Sequence, residues 1–291
     1  MDKHPLFHYL GRRNACGATA DQVRINDGYT MSDKNLPDIQ SQPDTRNIPL
    51  DRAGVKGLLW PITVLDRKHE RQSTIATVNM YVNLPHNFRG THMSRFVEVL
   101  NEYRESEWLD RSDEILDRIR TMLDADEAHM EIEFPYFIEK TAPVSGQPSL
   151  MSYVCRFLAS HQKGSDTVMS VAVPVITMCP CSKEISAYGA HNQRCTVTVQ
   201  IRYREFVWIE EIVDIVENSA SGDLYAILKR PDEKFVTERA YDNPMFVEDV
   251  VREVARKLDS LDRVAWYVVE AESQESIHNH NAYARVEKSK N

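Results

Sequence analysis

Between residues 73 and 84 the chain alternates: Ala76, Val78, Met80, Val82 and Leu84 interleave with Ile75, Thr77, Asn79, Tyr81 and Asn83. A repeat of two puts one set on a better-buried face, so this stretch is expected to be a strand. Pro85 and Gly90 end it. From 91 to 124 the apolar spacing changes to three and four, at Phe96, Val97, Leu100 and Tyr103 and then at Ile115, Leu116, Ile119 and Leu123. That spacing predicts one long helix or two. Met130, Ile132 and Phe134 then alternate with Glu131 and Glu133, which is a strand again, and 149–161 and 167–177 read as two more around turns at Gly146 and Gly164.

The second half repeats the order. Val197, Val199, Ile201 and Tyr203 alternate with polar neighbours, and helical spacing follows at Ile212, Ile215, Val216 and Ser219. Asn243 is a plausible cap for a second helix, with Pro244 at its first position and Val247, Val250, Val251, Val254 and Leu258 as the buried stripe. Residues 263–271 and 281–286 are expected to close the chain as strands. Strands, then helices, then strands, occurring twice, imply an α+β fold of two related modules, each an antiparallel sheet with helices on one face. We place the modules at 38–165 and 166–291. Residues 1–37 carry no sustained period and read as a disordered or dispensable leader, with Met31 a second plausible start. The stretch 38–66 reads as loop-like, leading into the first strand.

Composition narrows the function classes. Lys and Arg total 35 against 44 Asp and Glu among 291 residues, a net charge of −9, which excludes a generally basic nucleic-acid coat. No apolar run approaches the roughly 18 residues that cross a bilayer, so no membrane partner is expected. The first 22 residues are too polar for a signal peptide, and cytoplasm is the expected address. There the five cysteines, Cys16, Cys155, Cys179, Cys181 and Cys195, should stay reduced. Three of them crowd between 179 and 195, which points to a metal or a nucleophile rather than a staple.

The densest polar constellation is TMCPCSKEISAYGAHNQR at 177–194. Read as an extended chain, it projects Cys179 and Cys181 to the same side, and His191 follows after a Gly-containing turn. A thiolate and an imidazole are good ligands for a zinc-like ion, and a third, carboxylate ligand leaves a fourth position for water. The plain alternative is two small buried cysteines and a histidine capping a turn. In EAESQESIHNHN at 270–281, His278 and His280 again share a side, and imidazoles exchange protons near neutral pH. A solvated hairpin tip is the alternative there. Glu233 and Glu248 are isolated carboxylates that pattern alone leaves as turn and helix-surface residues.

The blocks at 38–66, GTHMSRF at 90–96, CPCSKEISAYGAHNQR at 179–194, RPDEKFVTERAYDNPMFVEDVVR at 230–252 and ESIHNHNAY at 275–283 carry a resemblance. In them the chain resembles the prokaryotic type IB GTP cyclohydrolase I family of the tunnelling-fold superfamily. The resemblance implies hydrolysis of GTP to 7,8-dihydroneopterin triphosphate and formate, the entry to folate-type pterins and a source of queuosine-type precursors. It also implies tandem tunnelling-fold modules in a barrel-forming homotetramer with active sites at subunit interfaces.

By the same resemblance Cys179, His191 and Glu233 are the ligands of a divalent metal such as zinc, manganese or iron. Cys181 is the alternative ligand or a nearby proton donor. Glu248 is the expected anchor for the guanine edge. His278 and His280 are expected to move protons, with Glu275 orienting one of them. Lys183, Arg194 and Arg95 are the candidates for the triphosphate. Two other readings stay open: an NADPH-dependent deazaguanine nitrile reductase with a cysteine nucleophile, and a non-catalytic, metal-stabilised pterin-binding assembly protein.

Overall fold

The computed structural model describes residues 38–40, 42–104, 111–162 and 164–290; the leader 1–37, with Cys16 and Met31, lies outside them. Alternation is realised most cleanly in β2 (Glu70–Leu84), where Ala76, Val78, Met80 and Val82 are buried, and in β3 (Ala128–Thr141), where Ala128, Met130, Ile132, Phe134 and Tyr136 are. The helical stretch between them is two helices, α1 (Met93–Glu102) and α2 (Ser112–Leu123), which bury Phe96, Val99 and Leu100 and then Ile115, Leu116 and Ile119. Before them runs β1 (Leu50–Asp66); after them come β4 (Pro148–His161), β5 (Ser165–Met178), α3 (Pro180–Ile185), β6 (Asn192–Tyr203), α4 (Ile209–Glu217), β7 (Gly222–Asp223), α5 (Arg230–Asp242), α6 (Val247–Asp259), β8 (Val264–Ser273) and β9 (Ala282–Ser289).

All the strands join one antiparallel sheet in the order β1-β2-β3-β4-β5-β6-β8-β9, with β7 also paired to β5. Helix α2 packs on β2, β3 and β4, α4 on β5, and α6 on β8 and β9. The core is therefore the layer between the sheet and its helices, and the other sheet face keeps its polar positions. Leaving aside the short α3 and β7, the order of two strands, helices and two strands occurs twice. The boundary read at 165/166 falls on the first residues of β5, and β4 pairs with β5 across it, so both halves share one sheet.

Three local expectations need correction. The stretch 38–66 is not loop throughout, because from Leu50 it is the 17-residue strand β1. Two bulges and Pro61 break its alternation, and Pro61 is tolerated because β1 lies at the end of the sheet. Gly54 crosses Met80 so closely that a Cβ would sit 1.9 Å from the Met80 carbonyl oxygen. Asn243 does not cap α6; it ends α5, its N–H donating to Arg239 O at 3.1 Å. Helix α6 starts at Val247 after Phe246, whose N–H donates to Asp249 Oδ2 at 3.1 Å. The buried stripe of α6 is the expected one. Finally, Cys179-Pro180-Cys181 is not extended. Cys179 caps α3 and Pro180 occupies its first turn, where a missing N–H costs nothing.

Candidate active site

Strands β5, β6 and β8 end together, and most of the chemistry-bearing residues stand at that end. Thr177 pairs with Gln193, Met178 with Asn192, and Cys195 with Ser273. The hydroxyls of Thr177 and Ser273, both buried, lie 3.0 Å apart and tie β5 to β8 behind β6. Each ladder then runs on by one bond. Cys179 N–H donates to His191 O at 3.1 Å, and Gln274 N–H donates to Arg194 O at 2.9 Å. Cys179 and His191 are thus neighbours across the end of the sheet, with Gln193 on β6 and Glu275 two residues past the end of β8.

Local bonds fix this end. The Cys179 sulfur accepts the Ser182 N–H at 3.4 Å. Ser182 Oγ donates to Cys179 O at 3.1 Å and accepts His191 N–H at 3.2 Å. The His191 ring is held through Nδ1, 2.8 Å from Gln193 Oε1 and 3.4 Å from Ser276 Oγ, while Gln193 Nε2 donates to Glu275 Oε1 at 3.3 Å. After Glu275 the β8–β9 connection carries His278 and His280, both exposed, their rings stacked with centroids 5.1 Å apart.

A second clamp brings in the start of α6. Met178, only 2 % exposed, donates its N–H to Ser221 Oγ at 3.1 Å and accepts Met245 N–H at 3.0 Å. Glu248, exposed in the first turn of α6, stands three residues after Met245. Helix α5 reaches α3 through its C-terminal end, where the Lys183 ammonium donates to Tyr241 O and lies 4.3 Å from the centre of the Tyr241 ring.

The structure therefore brings together Cys179, Cys181, Lys183, His191, Arg194 and Glu275, with Glu248 tied in through Met178 and His278 and His280 on the adjoining loop. It does not gather Glu233. That residue is exposed in the first turn of α5, about 12 Å along the helix from Tyr241 at 1.5 Å per residue. Arg95 lies in the first half, in a cleft of ≈ 230 Å³, and its guanidinium donates to Met122 O at 2.9 Å. Lys183 is largely committed to Tyr241, whereas the Arg194 side chain is exposed.

As a test of fit to a divalent ion, the donor chemistry of the pair is favourable. Cys179 is half-buried, and His191 has its Nδ1 engaged, which leaves Nε2 as the outward nitrogen. Among the described residues, however, no three His, Cys, Asp or Glu side chains stand close enough to hold one ion. Cys155 and Cys195 are buried, and burial pushes both thiols up, Cys195 to about 12. Neither is a ready thiolate. Gln193 was not among the residues singled out from the sequence, although alternation places it in phase with His191 two positions earlier.

The comparisons with known proteins bear on the same residues. A family model described as type I GTP cyclohydrolase folE2 matches residues 36–284. The chain is 55 % identical over 255 residues to GTP cyclohydrolase FolE2 of Geotalea uraniireducens (strain Rf4), covering 88 % of this chain and 94 % of that one. It is 57 % identical over 252 residues to GTP cyclohydrolase FolE2 of Syntrophus aciditrophicus (strain SB), covering 86 % and 99 %. Among solved structures, urate oxidase from Bacillus sp. TB-90 superposes with a TM-score of 0.52 at 8 % identity, over 82 % of this chain and 99 % of that one. That likeness shows the fold alone, and the fold is the tunnelling fold.

Proposed function

Because the chain belongs to the type I GTP cyclohydrolase folE2 family, we propose a site at the joint end of β5, β6 and β8 for its reaction and assign the residues that carry it. The protein is a GTP cyclohydrolase of folate-type pterin biosynthesis, taking GTP and water to 7,8-dihydroneopterin triphosphate and formate. As the finer reading, we infer that it belongs with the prokaryotic type IB GTP cyclohydrolase I enzymes.

Cys179, His191 and Glu233 would hold a divalent metal, zinc, manganese or iron, with Cys181 as the alternative thiol or a proton donor. A divalent ion held there would supply a water acidified toward neutrality for addition to C8 of guanine. The reading is supported by the adjacency of Cys179 and His191 and by the orientation of the His191 ring. Glu233 is on a different element, so the third donor depends on α5 approaching the pair.

Glu248 accepts the guanine N–H and amino group as two charge-assisted bonds. Its place in the first turn of α6, three residues after Met245, whose N–H donates to Met178 O, supports this role. Ring opening and formate loss each move a proton, which His278 and His280 can carry from their stacked positions beside Glu275. Arg194 offers the exposed positive charge for the triphosphate, with Lys183 and Arg95 as further candidates. A homotetramer would join the sheet ends β1 and β9 to those of other subunits and remove exposed edges. Exposed Leu59 at 72 % and Ile75 at 62 % on β1 and β2 favour such burial. No helix among the described residues is long and apolar enough to cross a membrane, and the cytoplasm is the proposed location.

The observation that carries the assignment is the convergence of the thiol, the imidazole and Glu275 at one end of three paired strands. The experiment is to strip the purified protein of metal, resupply zinc, manganese or iron, and incubate it with GTP. Metal-dependent formate release with a fluorescent oxidised pterin is expected. NADPH oxidation with a deazaguanine nitrile, and no formate from GTP, would overturn it in favour of the reductase. If Cys179→Ala, Cys181→Ala and His191→Ala all unfolded the protein while the wild type left GTP untouched, the assembly protein would be favoured.

A further inference from the structure

The Gln193 amide stands between two groups of opposite demand. A carboxylate has only acceptor oxygens, so the atom of Gln193 facing Glu275 at 3.3 Å is the NH2 group. The amide oxygen is then the atom 2.8 Å from His191 Nδ1, and a bond there requires Nδ1 to carry the proton. Ser276 Oγ, 3.4 Å from the same nitrogen, can accept as readily as donate and does not oppose this. Neutral imidazole has one proton. With it on Nδ1, Nε2 presents a bare lone pair.

We propose that Gln193 is a positioning residue that sets the His191 tautomer, with the Glu275 carboxylate fixing which way round the amide lies. Glu275 thereby acts on His191 through Gln193, and the loop bearing His278 and His280 is coupled to the thiol–imidazole pair. The β5–β6 ladder supports this rigidly, since Gln193 pairs with buried Thr177 and its backbone cannot shift without breaking the strand. The inference rests on the proposed role of His191 as a metal ligand. It adds a residue that acts through His191.

The test is zinc affinity, by competition with a chromophoric chelator, for the wild type and for Gln193→Leu, Gln193→Glu and His191→Ala. Gln193→Leu keeps the volume and loses both bonds, and zinc binding should weaken about 10–100-fold, the usual effect of removing an outer partner of a ligating histidine. Gln193→Glu keeps an oxygen for Nδ1–H, so its zinc affinity should stay within about threefold of the wild type. It places a like charge against Glu275, so kcat at saturating zinc and GTP should fall with KM little changed. A Gln193→Leu protein that is folded and binds zinc like the wild type, while His191→Ala loses zinc, would overturn the role of Gln193 alone. If His191→Ala also kept wild-type affinity, the ligand assignment itself would fail. Should Gln193→Leu not fold, Gln193→Asn, one methylene too short to reach both partners, carries the same expectation and the same refutation.

Discussion

Lys140 to Met is the substitution whose consequence the structure defines most sharply. The Lys140 ammonium lies 2.9 Å from Glu217 Oε1 and 3.7 Å from Asp223 Oδ2, with side chains only 11 %, 10 % and 13 % exposed. The contact with Glu217 is not aligned as a hydrogen bond, so the attraction is mainly charge on charge. Tyr153 OH donates to the same Glu217 oxygen at 2.9 Å. Burial pushes the Glu217 carboxyl up, and Lys140 and Tyr153 only partly offset this. Asp223 has other partners, Tyr225 OH at 3.2 Å and Arg239 of α5 at 3.5 Å. Removing the ammonium strands the Glu217 charge in a poorly solvated place.

Breaking a buried pair from one side costs about 3–5 kcal/mol. At about 2–4 °C per kcal/mol for a chain of this size, Tm should fall by roughly 6–20 °C at pH 7.5. The pH dependence has a definite sign. A carboxylate raised on folding withdraws stability when ionised, so the deficit is full at high pH and shrinks as pH falls through the folded-state value. Without Lys140 that value rises further. The gap between variant and wild type should therefore be wider at pH 7.5 than at pH 5.5, and Lys140→Met/Glu217→Gln should recover most of the loss. Thermal unfolding followed by circular dichroism at both pH values measures this. A single variant within about 2 °C of the wild type, or a gap that ignores pH, would refute the reasoning.

Other consequences can be checked as directly. Glu248→Ala should keep its fold and metal but lose at least about 10²-fold in kcat/KM for GTP, taking ~1.5–3 kcal/mol for each of two charge-assisted bonds; full activity would remove Glu248 from the site. Asp232 is fully buried at the start of α5 and accepts the Val144, Ser145 and Lys229 N–H groups. Burial pushes its carboxyl up, but these bonds outweigh that and hold it well below the usual range. Its contribution is complete above about pH 4, the ordinary aspartate value, and is lost as pH falls below it, so Asp232→Ala should lower Tm at pH 7 and flatten the acid limb of a Tm–pH curve. Ser221→Ala leaves the Met178 N–H buried without its partner and should cost ~1–3 kcal/mol in urea unfolding. Sedimentation equilibrium should give four times the chain mass; a monomer that turns over GTP would refute the interfacial site.

What the sequence made legible follows from how each element is stabilised. β2, β3 and α6 bury one regular face against the core, so hydrophobic spacing alone reveals them. Helix α5 buries only Asp232 and Ala240; a helix held by a polar anchor shows no stripe, and Glu233 passed for a turn residue. β1 was hidden by its bulges and Pro61. α3 escaped notice because the CPC segment was read as extended, whereas a proline also fits the first turn of a helix. Of the site, the reactive side chains were recognisable by type. Gln193 was passed over because an amide is neither titratable nor a common ligand, and its importance emerges only from having His191 on one side and Glu275 on the other.

One buried residue without chemistry of its own explains why these parts can act together. Both peptide groups of Met178 are used outside the β5–β6 ladder, its N–H on Ser221 and its C=O on Met245. The next residue is Cys179, and three residues after Met245 comes Glu248. The thiol and the proposed guanine anchor are therefore referred to a single backbone unit. Ser221 adjoins β7, where Asp223 joins the Lys140 and Arg239 charges. Displacing the ion cluster should then be felt at the thiol, at the start of α6 and along α5, the elements that carry Cys179, Glu248 and Glu233. Positioning the proposed catalytic groups to within a fraction of an ångström requires such rigid support, and buried hydrogen bonds to the main chain are there to supply it.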